Sequence, residues 1–161
     1  MNDSLSVILP ARNCQEQLAA QVAHLLDVLP ELTSRFEVLI VDDASTDHTE
    51  EVAHELAIEY PQVRIARHEE TSGMDQAINT GVRHANGDVI LVTENETQIN
   101  SVELKRLWEV RNQKQRPQER LLPQKRRWWT KVPIKTCTLR LHTHSFRVLR
   151  WIDSNKHHLK K

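Results

Sequence analysis

Three features of the sequence predict an α/β fold with a mostly parallel sheet, helices on both faces and a basic C-terminal tail. Short apolar runs alternate with amphipathic stretches of helical spacing, in the order β-α-β-α-β-α-β-α. One of the runs, Val38–Val41, is uninterrupted, as suits a strand buried on both faces of a parallel sheet. It runs straight into Asp42 and Asp43, at the carboxyl end of a strand, where such sheets bind their ligands. Right-handed crossovers follow from the same alternation.

Taken in order, Leu5–Leu9 reads as a first strand that ends at Pro10. Asn13 is placed to cap a helix over Cys14–Leu29, whose Leu18, Val22, Leu25, Leu26 and Leu29 share one face before Pro30 closes it. Glu37–Val41 is the second strand. The next helix spans about Asp47–Tyr60, with Val52, Leu56, Ala57 and Tyr60 at helical spacing and Pro61 as its stop. Val63–Ala66 is a short third strand, and Ser72 is placed to cap a helix over Met74–His84. The Asn86–Gly87 turn delivers a fourth strand, Asp88–Val92. Ser101 can open a last amphipathic helix through Leu104, Leu107, Trp108 and Arg111.

At 161 residues the chain is long enough for one domain with a real core and a tail. An acid near the start and only a short apolar run argue against a signal peptide, and no run approaches the roughly 20 residues that span a bilayer. Cys14 and Cys137 form no CxxC pair, so free thiols in a reducing compartment are expected. A soluble, cytoplasmic chain is the expectation.

The zero net charge hides an asymmetry. Residues 114–161 hold 14 Lys and Arg against Glu119 and Asp153, a net +12, whereas residues 1–113 hold 8 basic and 20 acidic residues, a net −12. Three of the four tryptophans (Trp128, Trp129, Trp151) also fall in the basic part. This break divides the chain into a domain over 1–113 and a tail over 114–161. KRRWWTK at Lys125–Lys131 mixes basic and aromatic residues as membrane-surface or nucleic-acid segments do. The plainer reading is a solvated tail, or one docked on the acidic domain; an anionic partner or a membrane surface is what a recruiting tail would engage. His142, His144, His157 and His158 lack the partner cysteines or HExxH spacing of a metal site. A composition this different also fits a gene truncation or a change of reading frame.

The stretch VLIVDDASTDHT, Val38–Thr49, resembles the VDDxSxDxT signature of the family 2 glycosyltransferases, which have the GT-A fold. A helix cap alone would explain its polar turn, though not two consecutive aspartates. The resemblance covers about residues 6–107 and implies a Rossmann-like GT-A half with strand order 3-2-1-4. It implies that Asp42, Asp43 and Ser45 lie where the family contacts the base of a nucleotide-diphosphate sugar. SVILPARN is similar to the family's strand followed by PxYN, so Pro10, Ala11, Arg12 and Asn13 would line base and ribose. The Arg12 guanidinium can stack on a base as an aromatic ring does, while the glutamate that follows in the family is Cys14 here. TSGMDQAINTG resembles NxGKGxAxNxG: Gly73, Ala77, Asn79 and Gly81 match, with Met74 for the lysine and Asp75 for a glycine. That exchange removes a positive charge and adds a negative one where backbone N–H groups at a helix start would meet a diphosphate.

After the fourth strand the family places D-x-D, which holds a divalent cation; this chain has Glu94 and Glu96, an E-x-E. Mg²⁺ and Mn²⁺ accept carboxylate oxygens from either residue type, so the resemblance implies a divalent cation on Glu94 and Glu96. An inverting transfer also needs a carboxylate base near the attacking hydroxyl. Beyond Glu109 only Glu119 and Asp153 are acidic, and neither stands in a motif like the family's base. Two readings result: a glycosyltransferase acting on a nucleotide-diphosphate sugar with inversion, or an inactive remnant of the fold that binds nucleotide or a partner.

Overall fold

The computed structural model describes residues 4–93, 101–114, 136–138 and 150–153. In chain order the elements are β1 (Leu5–Ala11), α1 (Gln15–Val28) with a 3-10 turn at Leu29–Glu31, β2 (Phe36–Asp42), α2 (Thr49–Glu59) and β3 (Val63–Arg67). Then come α3 (Met74–His84), β4 (Val89–Val92), α4 (Ser101–Lys114), β5 (Thr136–Thr138) and β6 (Arg150–Asp153). The sheet runs β3-β2-β1-β4-β6-β5. Its first four strands have the expected order and are all parallel, with Val38–Val41 held between β1 and β3.

Alternation along the strands sorts their side chains into two layers. Leu5, Val7, Leu9, Val38 and Ile40 face one way, onto Leu18, Val22 and Leu25 of α1, Ala53 and Leu56 of α2, and Leu104 and Trp108 of α4. Ile8, Leu39, Val41, Ile90 and Val92 face the other way, onto Ala77 and Ile78 of α3 and Ala85 beyond it. The predicted helices on both faces are thus present, three against one.

One of the expected boundaries is corrected. β1 does not end at Pro10: it runs on to Ala11, and Pro10 lies opposite Val41 of β2. Ser4 and Ile8 turn their carbonyls to β4, whereas Leu5 and Ala11 bond toward β2, so even-numbered backbone groups of β1 face β4. The β1–β4 ladder stops at Ile8 opposite Val92. Pro10 therefore lacks its N–H on the side where β4 has already ended, and the strand tolerates it. The sheet also continues with residues beyond the break in composition. β6 pairs antiparallel with β4, and β5 pairs antiparallel with β6. Two pieces of the basic segment are therefore strands of the sheet.

Close packing explains one of the matched glycines. A Cβ on Gly81 of α3 would stand 2.4 Å from Ile8 Cγ2, and Ile8 is fully buried in β1. Gly81→Ala is expected to destabilise the protein by about 1–3 kcal/mol through overpacking, measured as a lower urea midpoint with unchanged slope. A neutral result would mean that α3 can lift off β1 without loss. Among the described residues no helix is long and apolar enough to cross a membrane.

Candidate functional site

The loops that leave the carboxyl ends of β1 and β2 are fastened to each other. The Asn13 N–H donates to Ser45 Oγ at 3.0 Å, and the Thr46 N–H returns to Asn13 Oδ1 at 2.9 Å. The Cys14 N–H donates to Thr49 Oγ1 at 2.8 Å, the Gln15 N–H to Asp47 Oδ2 at 3.3 Å, and the His48 N–H to Gln15 Oε1 at 2.8 Å. Asn13 is thus not the cap of α1. Cys14 holds the N-cap position without a side-chain cap bond, and α1's first amides are satisfied from the start of α2. Asn13 and Ala44 both adopt positive φ, 48° and 54°; the left-handed region suits asparagine but strains an alanine. Asp47, whose Oδ1 also accepts the Thr49 N–H, serves both helices. Desolvation pushes its carboxyl up, but hydrogen bonds from Thr49 and the Gln15 amide outweigh this and hold it below the usual range. Burial pushes the Cys14 thiol up, so it stays protonated.

The two aspartates diverge because strand alternation sends neighbours to opposite faces. Asp42 points to the side of α1 and α2 and is 0% exposed. Its Oδ1 accepts the Ser45 N–H at 3.2 Å and a short bond from the Ser45 hydroxyl. Its Oδ2 has no hydrogen-bond donor; Arg67 Nε lies 3.5 Å away while Arg67 Nη1 pairs with Glu50. Asp43 points toward α3 and is 4% exposed, with both oxygens occupied. Oδ1 bonds His68 Nδ1 at 2.7 Å and the Ser72 N–H at 2.8 Å, and Oδ2 accepts the Gly73 N–H at 2.8 Å. Burial pushes this carboxyl up; the bonds from His68, Ser72 and Gly73 more than offset it and hold it low.

The structure therefore brings Ala11, Asn13, Asp42, Asp43, Ser45 and Gly73 to one edge of the sheet, with Arg12 exposed beside them and Pro10 buried in β1. Ser72 does not cap α3. Its amide goes to Asp43, and Gly73, at φ 88°, is the N-cap. Two amides just before the start of α3 are thus already held by a carboxylate of the chain itself. Arg67, His68 and Thr80 were not singled out by the sequence. The only hint was place: Arg67 and His68 follow the apolar part of β3, and Arg67 lies in register with Asp42. Glu94 and Glu96 lie outside the described residues. Among the described residues no group of three His, Cys, Asp or Glu side chains could hold a metal ion.

Comparison with known proteins matches residues 6–116 to the model of glycosyl transferase family 2. The chain is 35% identical over 94 residues to a dolichol-phosphate mannosyltransferase of Pyrococcus furiosus, covering 58% of this chain and 26% of that protein. It is 29% identical over 96 residues to the glycosyltransferase GlyG of Streptococcus pneumoniae, covering 60% of this chain and 31% of that one. Among solved structures, residues 1–349 of TarS from S. aureus superpose with a TM-score of 0.52 at 25% identity, over 68% of this chain and 32% of that chain. The chain thus spans under a third of the length of these proteins. The family model, the parallel β3-β2-β1-β4 core and the paired aspartates after β2 agree: this chain belongs to glycosyl transferase family 2.

Proposed function

We propose that the chain binds a nucleotide-diphosphate sugar at the carboxyl edge of its sheet and supplies the donor half of an inverting sugar transfer in the cytoplasm. The observation that carries this reading is Asp42 Oδ2, a buried carboxylate oxygen with no hydrogen-bond donor at the strand end. Such an atom costs free energy unless a donor reaches it. A base N–H would supply that donor once the half-exposed Arg67 side chain moves aside. The fastened loops carrying Ala11, Arg12, Asn13 and Ser45 would line base and ribose. The turn at Gly73 would lie by the diphosphate. Glu94 and Glu96, one and three residues beyond Thr93, would hold Mg²⁺ or Mn²⁺. The basic segment 114–161 would meet an anionic partner or a membrane surface with whatever part of it lies outside the sheet.

Calorimetric titration with UDP- and GDP-sugars, with and without Mn²⁺, tests this. Asp42→Asn keeps an acceptor for Ser45 and replaces Oδ2, the oxygen near Arg67, by N–H₂. It is expected to weaken donor binding by about 1–3 kcal/mol, roughly fivefold to 150-fold. Binding that Asp42→Asn leaves untouched would remove Asp42 from the site.

A second reading is binding without turnover. The commitment of the Ser72 and Gly73 amides to Asp43 favours it, as does Met74 in place of a lysine. Release of nucleoside diphosphate from a bound donor separates the two, since turnover produces it and binding alone does not.

A further inference from the structure

We propose that His68 is a positioning residue of the donor site, setting the Ser72–Gly73 turn against the end of β2 by bridging Asp43 to Thr80. The proposal rests on the nucleotide-sugar reading above and adds a residue to which no role has been given.

The imidazole is fixed at both nitrogens. Nδ1 lies 2.7 Å from Asp43 Oδ1, and Nε2 lies 2.8 Å from Thr80 Oγ1 in the middle of α3. An ionised carboxylate only accepts, so Nδ1 carries the hydrogen, and in the neutral ring Nε2 accepts the Thr80 hydroxyl hydrogen. Arg83 Nη2 donates to the same hydroxyl oxygen at 3.2 Å. The His68 backbone is held as well, its N–H donating to the Asp42 carbonyl at 2.9 Å and so extending β3 by one residue. The side chain is 14% exposed and Thr80 is buried. One ring thus ties together the ends of β2 and β3 and the centre of α3.

What hangs on this ring is the turn itself. Asp43 Oδ1 is shared between His68 and the Ser72 amide, and Oδ2 takes the Gly73 amide. With the ring in place the carboxylate has one orientation, and the two amides follow it. Without the ring, Asp43 is free to rotate toward solvent and the start of α3 loses its reference to the sheet. A group outside ligand contact would then decide where the diphosphate end of the site lies.

The test uses the full chain with His68→Asn, His68→Gln and Thr80→Val. An asparagine amide nitrogen stands near the place of Nδ1, and a glutamine amide nitrogen near that of Nε2. Two readouts are taken: amide hydrogen exchange at Ser72 and Gly73, and the affinities of a nucleoside monophosphate and the matching diphosphate. His68→Asn is expected to keep both amides protected and the diphosphate affinity within a few-fold of wild type. His68→Gln is expected to speed exchange at both amides by about tenfold or more and to weaken the diphosphate by a similar factor, leaving the monophosphate unchanged. Thr80→Val should move both readouts in the same direction as His68→Gln. Unchanged exchange in His68→Gln, or equal loss of mono- and diphosphate, would overturn the proposal. If the wild-type chain binds no nucleotide, the proposed function fails, and exchange at Ser72 and Gly73 alone decides whether His68 sets the turn.

Discussion

Asp43→Ala is expected to destabilise the protein by about 3 kcal/mol or more, because each bond to a charged acceptor that is lost is worth about 1.5–3 kcal/mol. The substitution leaves His68 Nδ1 and the Ser72 and Gly73 amides without their acceptor. Denaturant unfolding measures it, with the midpoint read at neutral and acid pH. Because the folded carboxyl is held low, its stabilisation is fully present above the unfolded value of about 3.9 and is lost as pH falls through the depressed folded value. The gap between wild type and Asp43→Ala should therefore narrow on acidification below about pH 4. A loss under about 1 kcal/mol at neutral pH would mean that the turn finds other acceptors, such as water.

A loss of similar size is expected on the opposite edge of the sheet. Glu37, at the start of β2, accepts Ser6 Oγ–H at 2.5 Å, the Asn86 N–H at 2.6 Å, Asn86 Nδ2 at 3.0 Å and Arg64 Nη1 at 2.8 Å. Ser6 in turn accepts the Gly87 N–H at 2.7 Å, so the knot sets the turn that delivers β4. Burial pushes the Glu37 carboxyl up, but the bonds from Ser6, Asn86 and Arg64 prevail and hold it low. Glu37→Ala should cost about 3 kcal/mol, because the buried Ser6 hydroxyl and the Asn86 N–H lose a charged acceptor, and Glu37→Gln about 1–3 kcal/mol, because the amide retains one acceptor. Its contribution has the same sign as that of Asp43, being lost on acidification through its own depressed value. Nucleotide affinity, measured at saturating stability, should not follow Glu37, since this knot lies at the other end of the strands. Parallel loss of binding would show that the two edges are coupled.

The apolar strands were legible because burial on both faces leaves no room for polar residues. The order β3-β2-β1-β4 came with the motif rather than with periodicity. What the residues could not announce was how caps and carboxylates are shared. Asn13 and Ser72 have the composition of helix caps, yet other partners claim their side chains: Asn13 Oδ1 accepts the Thr46 N–H, and the Ser72 hydroxyl turns back to the Glu70 carbonyl. Local propensity names a residue able to cap but not the helix that receives the bond. Asp42 and Asp43 read as an equivalent pair, and only the pleat separates them into a carboxylate with one oxygen lacking a hydrogen-bond donor and one with both oxygens bonded. His68 and Thr80 belong to no local pattern, because 12 residues and a loop separate the two ends of one hydrogen bond. In the basic segment, Leu139, Leu141, Phe146, Val148, Leu149 and Trp151 admit one or two strands or a short helix, and composition alone could not choose between them or place β5 and β6.

The antiparallel junction of β4 with β6 bears on how molecules of this protein behave toward one another. β4 is four apolar residues, Val89–Val92, and an uncovered edge of that kind is a template for a strand from another molecule. With β6 beside it, the outer edges of the sheet among the described residues fall instead on β5, three residues long, and on β3, where Arg64 and Arg67 stand exposed. Short strands and exposed charge are poor templates. The described pieces of that segment, β6 with β5 beyond it, thus form the sheet's selvage and cover β4, the strand most able to template another.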